Sequence, residues 1–278
     1  MNPTIFVSEF LATDYPDIYK QLSDALYDSS TPLALLPYSK EVWARDYMPI
    51  HIRNGNYLGF QFHPDYLYDF PNNRKYITEQ GKATQGIPLS YSDKICAILD
   101  GGNFVFCDNK VIMTDKIFQE NSSIRQSKLM DIIENACKAE LVVIPWDTSE
   151  PFGHADGMIS YIGNGQVLLN NYSQMRGGKS FAKRLHKILS SHFGVTELCY
   201  EMTVPHVYSS FYINYLDTPS SILLPSLSTD SSLESDMAAL HTFKQIFRKP
   251  IKQVYALPLI KKGGALHCVT WEFYKKHS

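Results

Sequence analysis

The feature that most constrains this chain is a pattern that recurs along it: two strand-like runs joined by a short polar turn, an amphipathic helix, and a third strand-like run. The first copy is predicted at Ile95–Leu99, Asn103–Phe106, the turn Asp108–Lys110 and Val111–Thr114, with a helix over Ile124–Ala139 and a strand over Leu141–Pro145. Leu129, Ile132, Ile133 and Ala136 recur in that helix at three-to-four spacing. The order returns as Met158–Ile162, the turn Gly163–Gly165, Val167–Asn170, a helix near Lys179–His192 and Glu197–Glu201. It returns again as Phe211–Leu216, the turn Asp217–Ser220, Ser221–Pro225, a helix near Leu233–Phe247 and Gln253–Leu257. These are ββαβ units with a period of roughly 50 residues. Phe6-Val7, a helix over Tyr15–Tyr27, Ala34–Leu36, Ile50–Ile52 and Tyr57–Phe60 read as a rotated further copy. One such unit cannot bury both faces alone. The expectation is therefore a single α/β domain over residues 1–278, in which the run Val269–Phe273 joins the N-terminal region and closes a ring. Pro64–Pro88, aromatic and polar, fits no copy and is expected to be a functional loop.

Composition removes several function classes. A near-balanced net charge of -2, without a long basic run, lacks the footprint of a nucleic-acid binder. No apolar stretch reaches the length of about 18 residues that a membrane helix needs, and the N-terminus lacks the basic-then-apolar order of a secretion signal. Five cysteines, widely spaced and without a CxxC pair, argue against a disulfide framework and fit a reducing cytoplasm. Cys96, Cys137 and Cys199 read as small buried hydrophobes.

Four polar islands break the apolar pattern. Gly263-Gly264 precedes His267-Cys268, with Thr270 beyond, so polar groups flank a thiol where a core strand would carry valine or leucine. Cys268 is thus either one more buried thiol or a nucleophile, and a nucleophile needs a nearby cation, a base or a cationic substrate. Gly153-His154-Ala155-Asp156-Gly157 would place both polar side chains on one side of an extended segment. His154 is either a loop-corner histidine, a metal ligand or a general acid/base. The metal reading lacks a second His or Cys at zinc spacing. In Trp43-Ala44-Arg45-Asp46, the last two residues form either a surface ion pair or a fixed charge in a pocket. Asp100-Gly101-Gly102-Asn103 is either a hairpin turn or a group facing the ring axis. Two fixed carboxylates match the planar donor fork of a guanidinium.

In their order along the chain, WARDxxP at 43–49, DGGN at 100–103, GHxDG at 153–157 and GGxxHCxT at 263–270 resemble the agmatine deiminase and bacterial peptidylarginine deiminase family. The resemblance spans nearly the whole sequence. It implies a pentein, a five-bladed ring of ββαβ modules around a polar central site. It further implies Cys268 as nucleophile, His154 as acid/base, and Asp46 and Asp156 as the carboxylates that grip a guanidinium. Asp100, a glutamate in most relatives, would lie near the substrate with Trp43, Arg45, Asn103 and Gly264. Tail-reading residues would come from Arg53, Arg74, Tyr66, Tyr68 and Asn214. No metal or organic cofactor would be needed, and the partner would be a small guanidine: agmatine, arginine or peptidyl arginine. An amidinotransferase sharing the covalent intermediate, or a silent pentein that only binds, are the other readings. An open, watered pocket is expected, closed by a loop such as Tyr66–Tyr76.

Overall fold

The computed structural model describes residues 3–52, 55–203, 206–230 and 232–275. Fifteen strands among them form five three-stranded sheets, and every sheet has the same construction: an antiparallel pair extended by one parallel strand. A parallel neighbour requires a crossover, which is where the longer helices sit. The sheets are β3 (Ile50–His51), β4 (Asn56–Gln61) and β5 (Ser90–Ile98); β6 (Val105–Cys107), β7 (Lys110–Thr114) and β8 (Glu140–Ile144); β9 (Ile159–Gly163), β10 (Gln166–Leu169) and β11 (Gly194–Glu197); and β12 (Leu216–Asp217), β13 (Ile222–Ser226) and β14 (Ile251–Tyr255). The fifth sheet joins the two ends of the chain. In it, β15 (Thr270–Phe273) runs antiparallel to β1 (Thr4–Ser8), which runs parallel to β2 (Leu33–Leu36).

Local sequence explains the crossovers. Pro16 opens the helix Pro16–Asp28, where its fixed φ suits the first turn, and Ile18, Leu22, Ala25 and Leu26 supply one buried face. The helix Gln126–Cys137 buries Leu129, Ile133, Ala136 and Cys137, and ends on a left-handed Lys138. Helices Lys179–Leu189 and Glu234–Ile246 cover the remaining two long crossovers. β13, buried along its whole length, reads as the continuous apolar run expected of a strand covered on both faces. Asn164 and Gly165 both take positive φ, the geometry that lets a two-residue turn match the twist of β9 and β10.

Three expectations are corrected. Ile95–Ile98 ends β5 and belongs to the preceding blade, because the turn at Gly101–Asn103 separates it from β6. Of the strand expected over Phe211–Leu216 only Leu216 pairs, as the start of β12. A 3-10 turn occupies Ser209–Ile213, and the consecutive burial of Tyr212 through Leu216 is that of a compact segment inside the core rather than a half-buried strand. Strand pairing also stops at Glu197, short of Glu201. Cys137 is buried as expected, but Cys96 and Cys199 are exposed, since Ile95 and Ala97 on β5 and Leu198 beside Cys199 take the inward positions.

Candidate active site

The four islands converge where the blades meet. The WARD segment forms a short helix, Ala44–Tyr47, whose Arg45 amide donates to the Cys268 carbonyl at 3.0 Å, tying the first island to the last. Asn214, at the end of the buried Ser209–Ile213 turn, anchors the Cys268 loop: its Oδ1 accepts from the Ala265 and Cys268 amides at 3.0 and 3.2 Å, and its Nδ2 lies 3.1 Å from Cys268 Sγ. Cys268 Sγ is 3.9 Å from Asp156 Oδ2. His154 stands between two carboxylates, with Nε2 3.2 Å from Asp100 Oδ2 and Nδ1 3.5 Å from Asp46 Oδ1. The Gly102 amide donates to the same Asp46 oxygen at 3.2 Å, and a Cβ on Gly102 would come within 2.7 Å of both Asp46 Oδ1 and His154 Nδ1. The DGGN turn therefore needs a glycine there.

Burial and charge set the protonation states. Burial lifts the Asp46 carboxyl to about 7 against the opposing influence of His154, with Asp100 and Asp156 adding to the rise. Burial alone would lower the His154 imidazole, but Asp46 and Asp100 outweigh it and hold it at about 10, so the ring carries a proton at neutral pH. Burial also acts to raise Asp156; the hydrogen bond and charge of His267, with His154 and Arg45, overcome it and keep this carboxyl below its ordinary range. The Cys268 thiol is pushed well up by burial and by Asp156 and Asp46. With no ligand the site thus holds a neutral thiol, a cationic imidazole and a surplus of carboxylate.

A profile of the Porphyromonas-type peptidyl-arginine deiminase family matches residues 13–273. The chain belongs to this family. No curated protein matches it in sequence. Among solved structures it is similar to a C. jejuni agmatine deiminase with substrate bound (13% identity, TM-score 0.74, covering 99% of this chain and 94% of that one). It is similar also to the agmatine deiminase of Enterococcus faecalis (15%, 0.72, 99% and 94%) and to a dimethylarginine dimethylaminohydrolase (12%, 0.59, 98% and 100%). At these identities the likeness concerns the fold, and the five mixed sheets form the five-bladed pentein ring.

Against this peptidyl-arginine deiminase frame the remaining residues fall into place. Two cavities meet at Cys268 and His154. The inner one, about 20 Å³, is lined by Trp43, Asp46, Tyr66, Phe152, His154, Gly263 and Cys268. The outer one, about 350 Å³, runs past Asp156, Gly264 and Asn214 to Asp147, Glu150 and Tyr208. Asp100 faces His154 and lines neither cavity. Arg45, expected beside the substrate, turns away: its guanidinium pairs with Glu272 at 2.9 Å. Asn103 is buried and accepts from the Thr114 amide at 2.9 Å, holding the turn against β7. Of the tail candidates, Arg53 lies outside the described residues. Arg74 bonds the Tyr68 carbonyl and stacks on that ring away from both cavities, while Asn214 serves the Cys268 loop. Tyr66 alone of the Pro64–Pro88 segment lines the inner cavity. Among the described residues no group of three or more His, Cys, Asp and Glu side chains is arranged to hold a metal ion, and no helix is long and apolar enough to cross a membrane.

Two contributors hold places to which the motifs assign no role. Lys116, 1% exposed, reaches Asp65 at 2.9 Å and the Phe152 carbonyl at 2.8 Å, and so fastens the short helix bearing Tyr66 over the inner cavity. His267 donates through Nδ1 to the Asp156 carboxylate at 2.6 Å. Its place before Cys268 was visible in the sequence; its partner, 111 residues away, was not.

Proposed function

We propose that this chain is a cysteine-dependent deiminase of a small guanidine with a cationic or neutral tail, agmatine before arginine. The observation that supports this best is the joint placement of Cys268, His154, Asp46 and Asp156 around one two-part cavity, whose described outer lining includes Asp147 and Glu150 but neither lysine nor arginine. A free amino-acid substrate would bring a carboxylate to that wall and find no cation; an amine finds carboxylates. The guanidinium head is placed where the two cavities meet beside Cys268, with Asp46 on the inner side and Asp156 on the outer side as its acceptors.

The chemistry follows from the charges. A guanidinium cation beside Cys268 favours the thiolate that the carboxylates alone oppose. Cys268 Sγ attacks the guanidinium carbon to form a C–S bond and a tetrahedral adduct. His154, already protonated, gives its proton to the departing nitrogen, the C–N bond breaks, and ammonia leaves a planar thiouronium on Cys268. The now neutral His154 takes a proton from water as its oxygen adds to the same carbon. Collapse of the second adduct breaks the C–S bond and releases the ureido product, while the adduct's hydroxyl proton replaces the one that the Cys268 thiol gave to solvent on forming the thiolate. Asp100 holds the imidazole in position throughout.

The test is ammonia and ureido-product formation from agmatine, arginine and a peptide with C-terminal arginine, with Cys268→Ala alongside. Turnover of agmatine above the other two, lost in the variant, is expected. Activity retained by Cys268→Ala would sink the mechanism, and product formed only when an amine acceptor is supplied would show an amidinotransferase.

A further inference from the structure

Asp156 is a wall shared by two spaces. One face lines the outer cavity beside Cys268; the other lines a separate half-open cavity of about 360 Å³, bordered by His267, Arg45, Trp271 and Glu272 and not by Cys268. The carboxylate is 5% exposed, and its oxygens have different fates. Oδ2 is taken by His267 Nδ1 at 2.6 Å, whereas Oδ1 is buried with no partner in the protein. A ligand in the catalytic cavity would thus meet a carboxylate already gripped from behind by one short, charge-assisted bond.

We propose that His267 is a positioning residue, holding Asp156 oriented and ionised for the guanidinium head while its own ring is reached by solvent through the second cavity. The proposal rests on the deiminase reading for why Asp156 must be ionised, but the bond itself is measurable without turnover. The charged and titratable groups that face Asp156 are His267, His154, Arg45, Asp46 and Cys268; those that face His267 are Asp156 and Glu272. Of the nitrogen groups around Asp156, among the described residues, the His267 ring alone bonds it directly. Without that ring, a buried carboxyl keeps only distant cations and two neighbouring groups that oppose its charge, so the neutral acid gains. The side chain of His267 is 26% exposed, against 4% for Asp156, so the bond is set from the rear face even when substrate fills the front.

The experiment labels aspartate Cγ with carbon-13, assigns the Asp156 resonance by its loss in Asp156→Asn, and follows its titration in the wild type, His267→Ala and His267→Asn. The wild-type midpoint is expected below the ordinary carboxylate range. His267→Ala should raise it by about one unit or more, a tenfold change in the proton affinity of Asp156. His267→Asn, whose amide can donate from a similar position without charge, should raise it less. An unmoved midpoint in His267→Ala overturns the proposal. In turnover, the ratio of wild-type to His267→Ala kcat/KM should grow as pH falls, through KM; a ratio constant across pH marks His267 as a packing residue and also overturns it. Imidazole, which fits the second cavity, should restore the low-pH loss in His267→Ala and not in Asp156→Asn, and equal rescue of both counts against the assignment. A wild type that turns over no guanidine defeats the deiminase reading instead, and the titration then decides the role of His267 by itself.

Discussion

At the scale of single residues, His154 carries the largest consequence of burying so many charges together. Its ordinary value of 6.5 applies to the unfolded chain, and Asp46 and Asp100 raise it to about 10 in the fold despite burial. The folded protein therefore binds the His154 proton more tightly than the unfolded chain does. The resulting stabilisation is complete below pH 6.5 and is lost as pH climbs through about 10. Urea titrations of the ligand-free protein should show stability falling across that window by a few kcal/mol at most. His154→Asn should flatten the decline, and a decline of equal size in the variant would mean that another group governs it. The identity of these residues was legible in the sequence, because glycines and charges interrupt apolar runs at all four islands. Their roles were less so. Asp156 lies in a 3-10 turn, Ala155–Gly157, rather than the extended segment expected, yet both it and His154 still reach the cavities. Arg45 and Asp46 are adjacent in sequence and diverge in space, since a helical turn points successive side chains in different directions.

Elements decide how the inner cavity is roofed. In the second blade along the chain, β3 to β5, the crossover is not one long helix but three short ones, Asp65–Tyr68, Arg74–Tyr76 and Gln80–Ala83. Periodicity could not reveal this segment, because its order comes from partners elsewhere in the chain. Lys116 is the chief of these, with Asp65, Glu120 and the Pro151 and Phe152 carbonyls all around its ammonium group. Burial alone would lower its pKa, but Glu120 and Asp65 outweigh that and keep it charged. Lys116→Met would leave Glu120 and Asp65 without their cation. Removing one partner from a buried pair costs about 3–5 kcal/mol, so a clear fall in the urea midpoint is expected. Because the same ammonium group fastens Tyr66, kcat/KM for agmatine should fall further than the loss of folded protein explains. Activity that merely tracks the folded fraction would show that the roof does not depend on this tie.

At the scale of the whole molecule, the repeat made the ring legible: strand, turn, strand, helix, strand recurs often enough that only mutual packing of the units can bury their faces. What it could not supply was the boundaries of the blades. The run from Ile95 is apolar and β-branched whether it ends one blade or begins the next, and only its parallel register on β4 decides the matter. Closure was legible for a different reason: Val269–Phe273 is a strand-like run that belongs to no complete repeat, and the N-terminal runs Phe6-Val7 and Ala34–Leu36 form a copy that can take it up. That closure also places Cys268, which stands two residues before β15, and β15 is held by β1 on one side of the ring. Trp271 fastens the joint. It is 2% exposed, its indole nitrogen donates to the Pro49 carbonyl at 2.7 Å, and its ring packs near Phe6, Tyr57 and Phe273, which come from both ends of the chain and from the second blade. Replacing so large a buried side chain by alanine costs about 3–5 kcal/mol. Trp271→Ala should therefore lower the melting temperature. Loosening of β15 should also fall on Cys268 before it reaches the distant β9–β11 sheet. Hydrogen exchange reads the difference: amides of β1 and β15 should lose protection first, with the third and fourth sheets unchanged. Uniform loss across all five sheets would mean that the ring opens only as one unit.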